Sequence, residues 1–143
     1  MPEVFVDTSS LVKFYYPEKD SDKIEEHILG ARKIFFSSLS VVEMSSALMK
    51  KVRTKELRKA EEMLIWKTFL DDIGTEQMEM IVPGERDYYK AADLIREFGS
   101  RHGIRTLDAL QLAVAMGTGS TLFLCADKIL SGVAEVLGIR VVA

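Results

Sequence analysis

Four acidic residues stand where a carboxylate could do chemistry. Asp7 follows the apolar run Val4-Phe5-Val6, Glu43 closes Ser40-x-x-Glu43, Asp108 lies in Arg105-Thr106-Leu107-Asp108-Ala109, and Asp127 follows Leu122-Phe123-Leu124-Cys125. Any one of them alone reads as a helix cap, whose oxygen satisfies an orphan N–H, and Ser40-x-x-Glu43 has the capping-box spacing. Their repetition in comparable settings argues for more. Two carboxylates ~4 Å apart repel by roughly 4 kcal/mol at an effective dielectric of 20, so four gathered acids require protons or a cation. Oxygen donors without thiolate or imidazole partners select Mg2+ or Mn2+ over zinc. Such an ion can acidify a water, orient a phosphate and stabilise an in-line transition state, the equipment of phosphodiester hydrolysis. Thr8 and Ser9 could support it by holding waters or a carboxylate, although for Thr8 and Ser10 ordinary helix capping is the preferred reading.

The elements that must position these acids follow from periodicity and punctuation. Val4 to Val6 reads as a strand feeding a helix from Ser9 to Tyr16, stopped by Pro17; Asp20 to Leu29 is a second helix closed by Gly30. A strand at Lys33 to Phe36 leads to a helix opened by Ser40-x-x-Glu43. Leu57 to Ile73 is a long amphipathic helix with Leu57, Ala60, Leu64, Trp66, Leu70 and Ile73 as its apolar face. Met78 to Val82 is a strand ended by Pro83-Gly84, and Glu85 to Arg101 a helix with Tyr88, Ala92 and Ile95 on one stripe and Phe98 beside it. Thr106 to Met116 is the most apolar helix and is expected to be buried on most sides. A strand at Thr121 to Cys125, a helix from Ala126-Asp127 to about Leu137, and a strand at Ile139 to Val142 complete the chain. Strands alternating with helices imply an α/β fold, a parallel sheet covered on both faces. All strands of such a sheet end on one edge, which would gather Asp7 and Asp127 there, and Glu43 and Asp108 near it if their helices start at that end.

The 143 residues suit one domain, residues 1–143, large enough to bury a real core. A single cysteine, Cys125, excludes an internal disulfide and a multi-cysteine metal site, and with no signal-like N-terminus a cytoplasmic location is expected. No apolar run approaches the ~20 residues that cross a membrane, so no membrane partner is expected. A net charge of -3 gives no global reason to expect nucleic acid. Locally, Lys50, Lys51, Arg53, Lys55, Arg58 and Lys59 are interrupted by one acid, Glu56, and could face phosphates, as could Arg101 and Arg105 near Asp108; the ordinary alternative is a solvated helix junction. His27 and His102 flank no obvious nucleophile. Asp7-Thr8-Ser9-Ser10 contains no glycine, which excludes a dinucleotide-binding first turn, and Ser9 stands where a haloacid-dehalogenase-like phosphatase needs a second acid.

Taken in order, Val6-Asp7-Thr8-Ser9, Ser40-x-x-Glu43, Arg105-Thr106-Leu107-Asp108-Ala109-Leu110-Gln111-Leu112-Ala113, Leu124-x-x-Asp127-x-x-Leu130 and the closing Leu137-Gly138-Ile139-Arg140-Val141-Val142 resemble the PIN domain family, in particular its small toxin ribonucleases of VapC type. The resemblance spans nearly the whole chain. It implies a three-layer α/β/α sandwich with a central parallel sheet of about four to five strands, and metal-dependent cleavage of RNA. It also implies a homodimer and, for toxins, a small antitoxin protein that blocks the site. Carried over position by position, Asp7, Glu43, Asp108 and Asp127 would be the catalytic, metal-holding acids, with Thr8 or Ser9 the hydroxyl often found beside the first. Cys125 departs from the Thr or Ser that relatives often carry there. The rival from another class is a catalytically silent PIN-like module that binds RNA or a protein, its acids serving as caps. Trp66 is expected to pack, and the helix that carries it to bury it between protomers.

Overall fold

Residues 2–19 and 21–142 are described in a computed structural model, so Asp20, the expected start of the second helix, lies outside the described residues. In chain order the elements are β1 (Glu3–Val6), α1 (Thr8–Tyr15), α2 (Asp22–Leu29), β2 (Lys33–Ser37), α3 (Leu39–Arg53), α4 (Lys59–Ile73), β3 (Met78–Ile81), α5 (Glu85–His102), α6 (Thr106–Thr118), β4 (Leu122–Leu124), α7 (Lys128–Val136) and β5 (Val141–Val142). The strands pair in parallel in the order β3-β2-β1-β4-β5.

Side-chain alternation along these strands sorts the core into two halves. Phe35, Phe5 and Phe123 lie side by side in register and meet Leu94, Phe98, Leu112 and Val133 of α5, α6 and α7. Val4, Val6, Ile34, Phe36, Leu122 and Leu124 point the other way, onto Leu11, Ile24, Met44, Leu48 and Phe69 of α1 to α4. Helices therefore cover both faces, the α/β/α sandwich that the alternation of elements called for. The central β1 is sealed: Val4, Phe5 and Val6 expose no surface.

Strand order reverses between β1 and β4, and the crevice beyond the carboxyl ends of two such strands is where parallel sheets receive ligands. Asp7 directly follows β1, and Asp127 lies three residues past the end of β4. The Asp7 N–H donates to the Leu124 carbonyl at 2.9 Å, tying the two strand ends together.

Three expectations are corrected. Helix α3 starts at Leu39, with Ser38 at its cap position and no side-chain cap bond, so Ser40-x-x-Glu43 forms no capping box. The Leu39 N–H is satisfied instead by Ser37 Oγ at 3.1 Å, which leaves Ser40 in the first turn and Glu43 one turn inside the helix, both free for other partners. Helix α4 starts at Lys59, and it buries Phe69 and Glu62 while Leu64 and Leu70 are 67% and 45% exposed. Apolar residues on more than one face leave the choice of face to packing, and Phe69 decides it by contacting the rings of Tyr15, Phe36 and Trp66. On α5 the buried stripe is Ala91, Leu94 and Phe98, with Ile95 partly buried, so Tyr88 and Ala92 face outward. Helix α6 is as buried as its composition requires, from Ala109 through Ala115. No described helix is long and apolar enough to cross a membrane.

The face assigned to α4 is testable by urea unfolding at protein concentrations low enough to keep the chain monomeric: Phe69→Ala should cost about 3–5 kcal/mol, whereas Leu64→Ala should stay within about 0.5 kcal/mol of the parent. Equal losses at the two positions would contradict this packing.

Candidate active site

Asp7 and Asp127 both cap helices, and each does so with one oxygen. Asp7 Oδ2 accepts from the Ser9 N–H at 3.2 Å and from the Ser9 hydroxyl at 2.6 Å, with the Cys125 thiol 3.7 Å away. Asp127 Oδ1 accepts from the Leu130 N–H at 3.0 Å at the start of α7. Glu43 Oε1 accepts from Thr8 Oγ1 at 2.8 Å and Gln111 Nε2 at 2.7 Å. Asp7 Oδ1, Glu43 Oε2 and Asp127 Oδ2 stand outside these bonds. Asp108, in the first turn of α6, has Arg105 Nε 3.9 Å from its Oδ2, a loose pair because the arginine is largely exposed.

The acids feel one another. Burial pushes the Asp7 carboxyl up to about 6; the two bonds from Ser9 oppose that rise, and the charges of Glu43 and Asp108 add to it. Asp108 is likewise raised, first by burial and then by the charge of Asp127, with Arg105 working against the rise and Glu43 adding to it. Electrostatic reach is not coordination: among the described residues, no three His, Cys, Asp or Glu side chains already stand together as a metal-holding group. In donor chemistry the four acids suit a hard cation, since the titratable groups that repel Asp7 and Asp108 are all carboxylates. The one soft donor nearby is the buried Cys125, whose thiol is pushed up to about 12 by burial and by the charge of Asp7, and is therefore a neutral hydrogen-bonding group at pH 7.

The sequence matches the family description PIN domain over residues 4–136. The chain belongs to the PIN domain family. Solved structures share its fold at low identity. VapC20 of Mycobacterium tuberculosis, a sarcin-ricin loop cleaving toxin, is 14% identical over 90% of this chain and 93% of its own, with a TM-score of 0.67. A toxin-antitoxin complex from Klebsiella pneumoniae is 13% identical over 98% and 96%, with a TM-score of 0.65. The DNA-bound VapBC of Salmonella typhimurium is 15% identical over 99% and 98%, also at 0.65. Among curated proteins no sequence matches.

In this PIN domain the hydroxyl residues beside Asp7 have sharper tasks than capping. Ser9 Oγ donates to Asp7 and accepts from the Ala126 N–H at 3.0 Å, bridging the ends of β1 and β4. Thr8, expected as a cap residue, bonds Glu43, Ser40 at 2.7 Å and Gln111 at 3.1 Å instead, because Asp7 already holds the cap position. Ser10 Oγ caps nothing; it is buried without a partner among the described residues. Gln111 stands in the Arg105 to Ala113 run, where sequence reasoning assigned it no role of its own. Its signal was present all the same, as a polar amide in the middle of the most apolar helix. Of the basic residues, Lys50, Lys51 and Arg53 fall in the last turn of α3, and Lys50 is two turns, about 10 Å, from Glu43 along the helix. Lys51 is engaged with Glu18 at 3.3 Å, Glu56 at 3.5 Å and the Tyr16 ring, which removes it from the set free to meet phosphates. Arg101 is exposed in the last turn of α5, and Arg105 occupies the N-cap position of α6 without a side-chain cap bond.

A carboxyl raised from 3.8 to about 6 in the folded state disfavours its own ionisation, so in EDTA this PIN domain should lose stability as pH rises from about 4 to about 6, and stay lowered above that. Asp7→Asn keeps the cap and removes the charge. Its advantage over the parent in chemical denaturation should be near zero at pH 3.5 and reach about 3 kcal/mol by pH 8. An advantage independent of pH would contradict the raised carboxyl.

Proposed function

We propose that this PIN domain is a Mg2+- or Mn2+-dependent endoribonuclease that hydrolyses RNA phosphodiester bonds, acting as the toxin of a toxin-antitoxin pair. The observation that carries the reading is the placement of Asp7 and Asp127 just past the ends of β1 and β4, where strand order reverses, with Glu43 and Asp108 within electrostatic reach; burial first, and the charges of the neighbouring acids after it, raise the affinity of Asp7 and Asp108 for protons. Family membership and the toxins among the structural neighbours support it. Asp7, Glu43, Asp108 and Asp127 would hold the ion, using the oxygens that capping and the Thr8–Gln111 bonds leave over. When bound, the ion supplies the positive charge that makes a water acidic and offsets the charge of the transition state.

The remaining work falls to the chain. Ser9 fixes the Asp7 carboxyl, the Leu130 N–H fixes Asp127, and Thr8 with Gln111 fixes Glu43. Arg105, exposed next to Asp108, would meet a backbone phosphate of the RNA, and Lys50, Arg53 and Arg101 would extend that track. A small antitoxin protein would cover the same crevice. Association into a homodimer would use the outward side of α4, where Met63, Leu64 and Leu70 are exposed, rather than Trp66, whose ring packs on Phe69 of its own core. The second reading, a catalytically silent PIN-like module that binds RNA or protein, is favoured by the absence, among the described residues, of three acids in a metal-holding group.

Conservative substitution separates the two. Asp7→Asn and Glu43→Gln should each remove Mn2+-dependent cleavage of RNA, by more than the roughly 10–100-fold that loss of a supporting group costs a metal site, while the proteins stay folded. Parent protein that cleaves no RNA with Mn2+ present points to the silent module, and full activity in either variant removes that acid from the proposed metal site. For association, Leu64→Glu should shift the sedimentation coefficient to that of a monomer; unchanged sedimentation would remove α4 from the interface.

A further inference from the structure

Gln111 is the least expected residue near the acids. It sits in α6 between Leu110 and Leu112, fully enclosed, and its Oε1 is buried with no partner among the described residues. An orphaned amide oxygen in an apolar helix is a standing cost that methionine or leucine would avoid. Packing alone therefore gives no account of an amide at this position; its other end does.

Nε2 lies 2.7 Å from Glu43 Oε1, 3.1 Å from Thr8 Oγ1 and 3.2 Å from Ser40 Oγ. The reverse orientation of the amide would set its oxygen against a carboxylate oxygen, so the NH2 must face Glu43. The hydrogens can then be placed. Thr8 has one, and it goes to Glu43 at 2.8 Å, so at the 2.7 Å contact between the hydroxyls Ser40 is the donor. One Gln111 hydrogen goes to Glu43 and the other is directed between the two hydroxyl oxygens. Ser40 to Thr8 to Glu43 is a one-way chain, and Gln111 braces every member of it. The braced residues belong to α1 and α3 and the brace itself to α6, three helices separated in sequence, so the clamp also sets the distance of Glu43 from Asp7 at the start of α1 and from Asp108 on α6.

We propose that Gln111 is a positioning residue that locks the Glu43 carboxylate by its Oε1, leaving Oε2 as the oxygen presented to a divalent cation. This rests on the metal-dependent nuclease reading above. It assigns the orphaned Oε1 of Gln111 a reason: the amide is kept for what its nitrogen does.

The test uses Gln111→Met, which keeps length and removes both the donor and the orphan. Melting temperature should stay within a few degrees of the parent, and RNA binding in EDTA within about two-fold. Mn2+ affinity, measured by calorimetry without RNA, should fall roughly 10–100-fold, and kcat should fall by a similar factor with KM within about two-fold. A purely structural role would lower the melting temperature and leave Mn2+ affinity intact. A second measurement needs neither metal nor activity: in the 1H–15N spectrum of the parent in EDTA, the Gln111 side-chain NH2 should exchange slowly with water, and its shift should move in Glu43→Gln. Parent protein that takes up no Mn2+ overturns the nuclease reading. Parent protein that binds Mn2+ while Gln111→Met binds it equally well, or a Gln111 NH2 that exchanges as a free amide, overturns the positioning role alone.

Discussion

The rest of this structure depends on keeping negative charge buried at the carboxyl ends of β1 and β4. A carboxylate withdrawn from water resists ionisation, and like charges within reach of one another resist it further. Asp7 bears both burdens, being almost fully enclosed and repelled by Glu43 and Asp108. Such an arrangement is unfavourable for a folded chain by itself, and surplus stability elsewhere must offset it. The sealed β1 strand and the two apolar layers against it supply that surplus.

Local hydrogen bonds make the burden tolerable without removing it. Ser9 donates twice to a single oxygen of Asp7, and the Leu130 N–H does the same service once for Asp127. Capping and ligand binding are usually posed as alternatives for an acid at a helix start. Here they are compatible, because a carboxylate has two oxygens and the cap engages one. Glu43 follows the same division, although its donors come from the side chains of Thr8 and Gln111 and not from a helix N-terminus.

The parallel sheet explains why distant acids come within electrostatic reach of one another. Reversal of strand order between β1 and β4 makes the crevice at which parallel sheets receive ligands, and Asp7 and Asp127 stand just past those two strand ends. Bonds across it, from Asp7 N–H to the Leu124 carbonyl and from the Ala126 N–H to Ser9, hold its two sides at fixed separation. Cys125 adds a neutral thiol to the same wall. Where a hydroxyl would make a stronger bond, the thiol donates weakly to Asp7, and burial together with the charge of Asp7 keeps it protonated.

Sequence by itself determined the α/β layering, the parallel sheet, the buried α6 and the placement of Asp7 and Asp127 at strand ends. Each is written in patterns of short range: apolar runs, the residue that ends them, and the spacing of glycine and proline. Tertiary structure alone decided which face of α4 and α5 turned inward, since apolar residues such as Leu64 and Tyr88 sit on more than one side and only a partner such as Phe69 or Leu94 chooses among them. It likewise decided that Glu43 is no cap residue, because Ser37 satisfies the helix start first. Gln111 shows the limit most clearly. Its polarity was visible in the sequence, but the oxygens it serves lie 68, 71 and 103 residues away along the chain, and nothing local to α6 could name them.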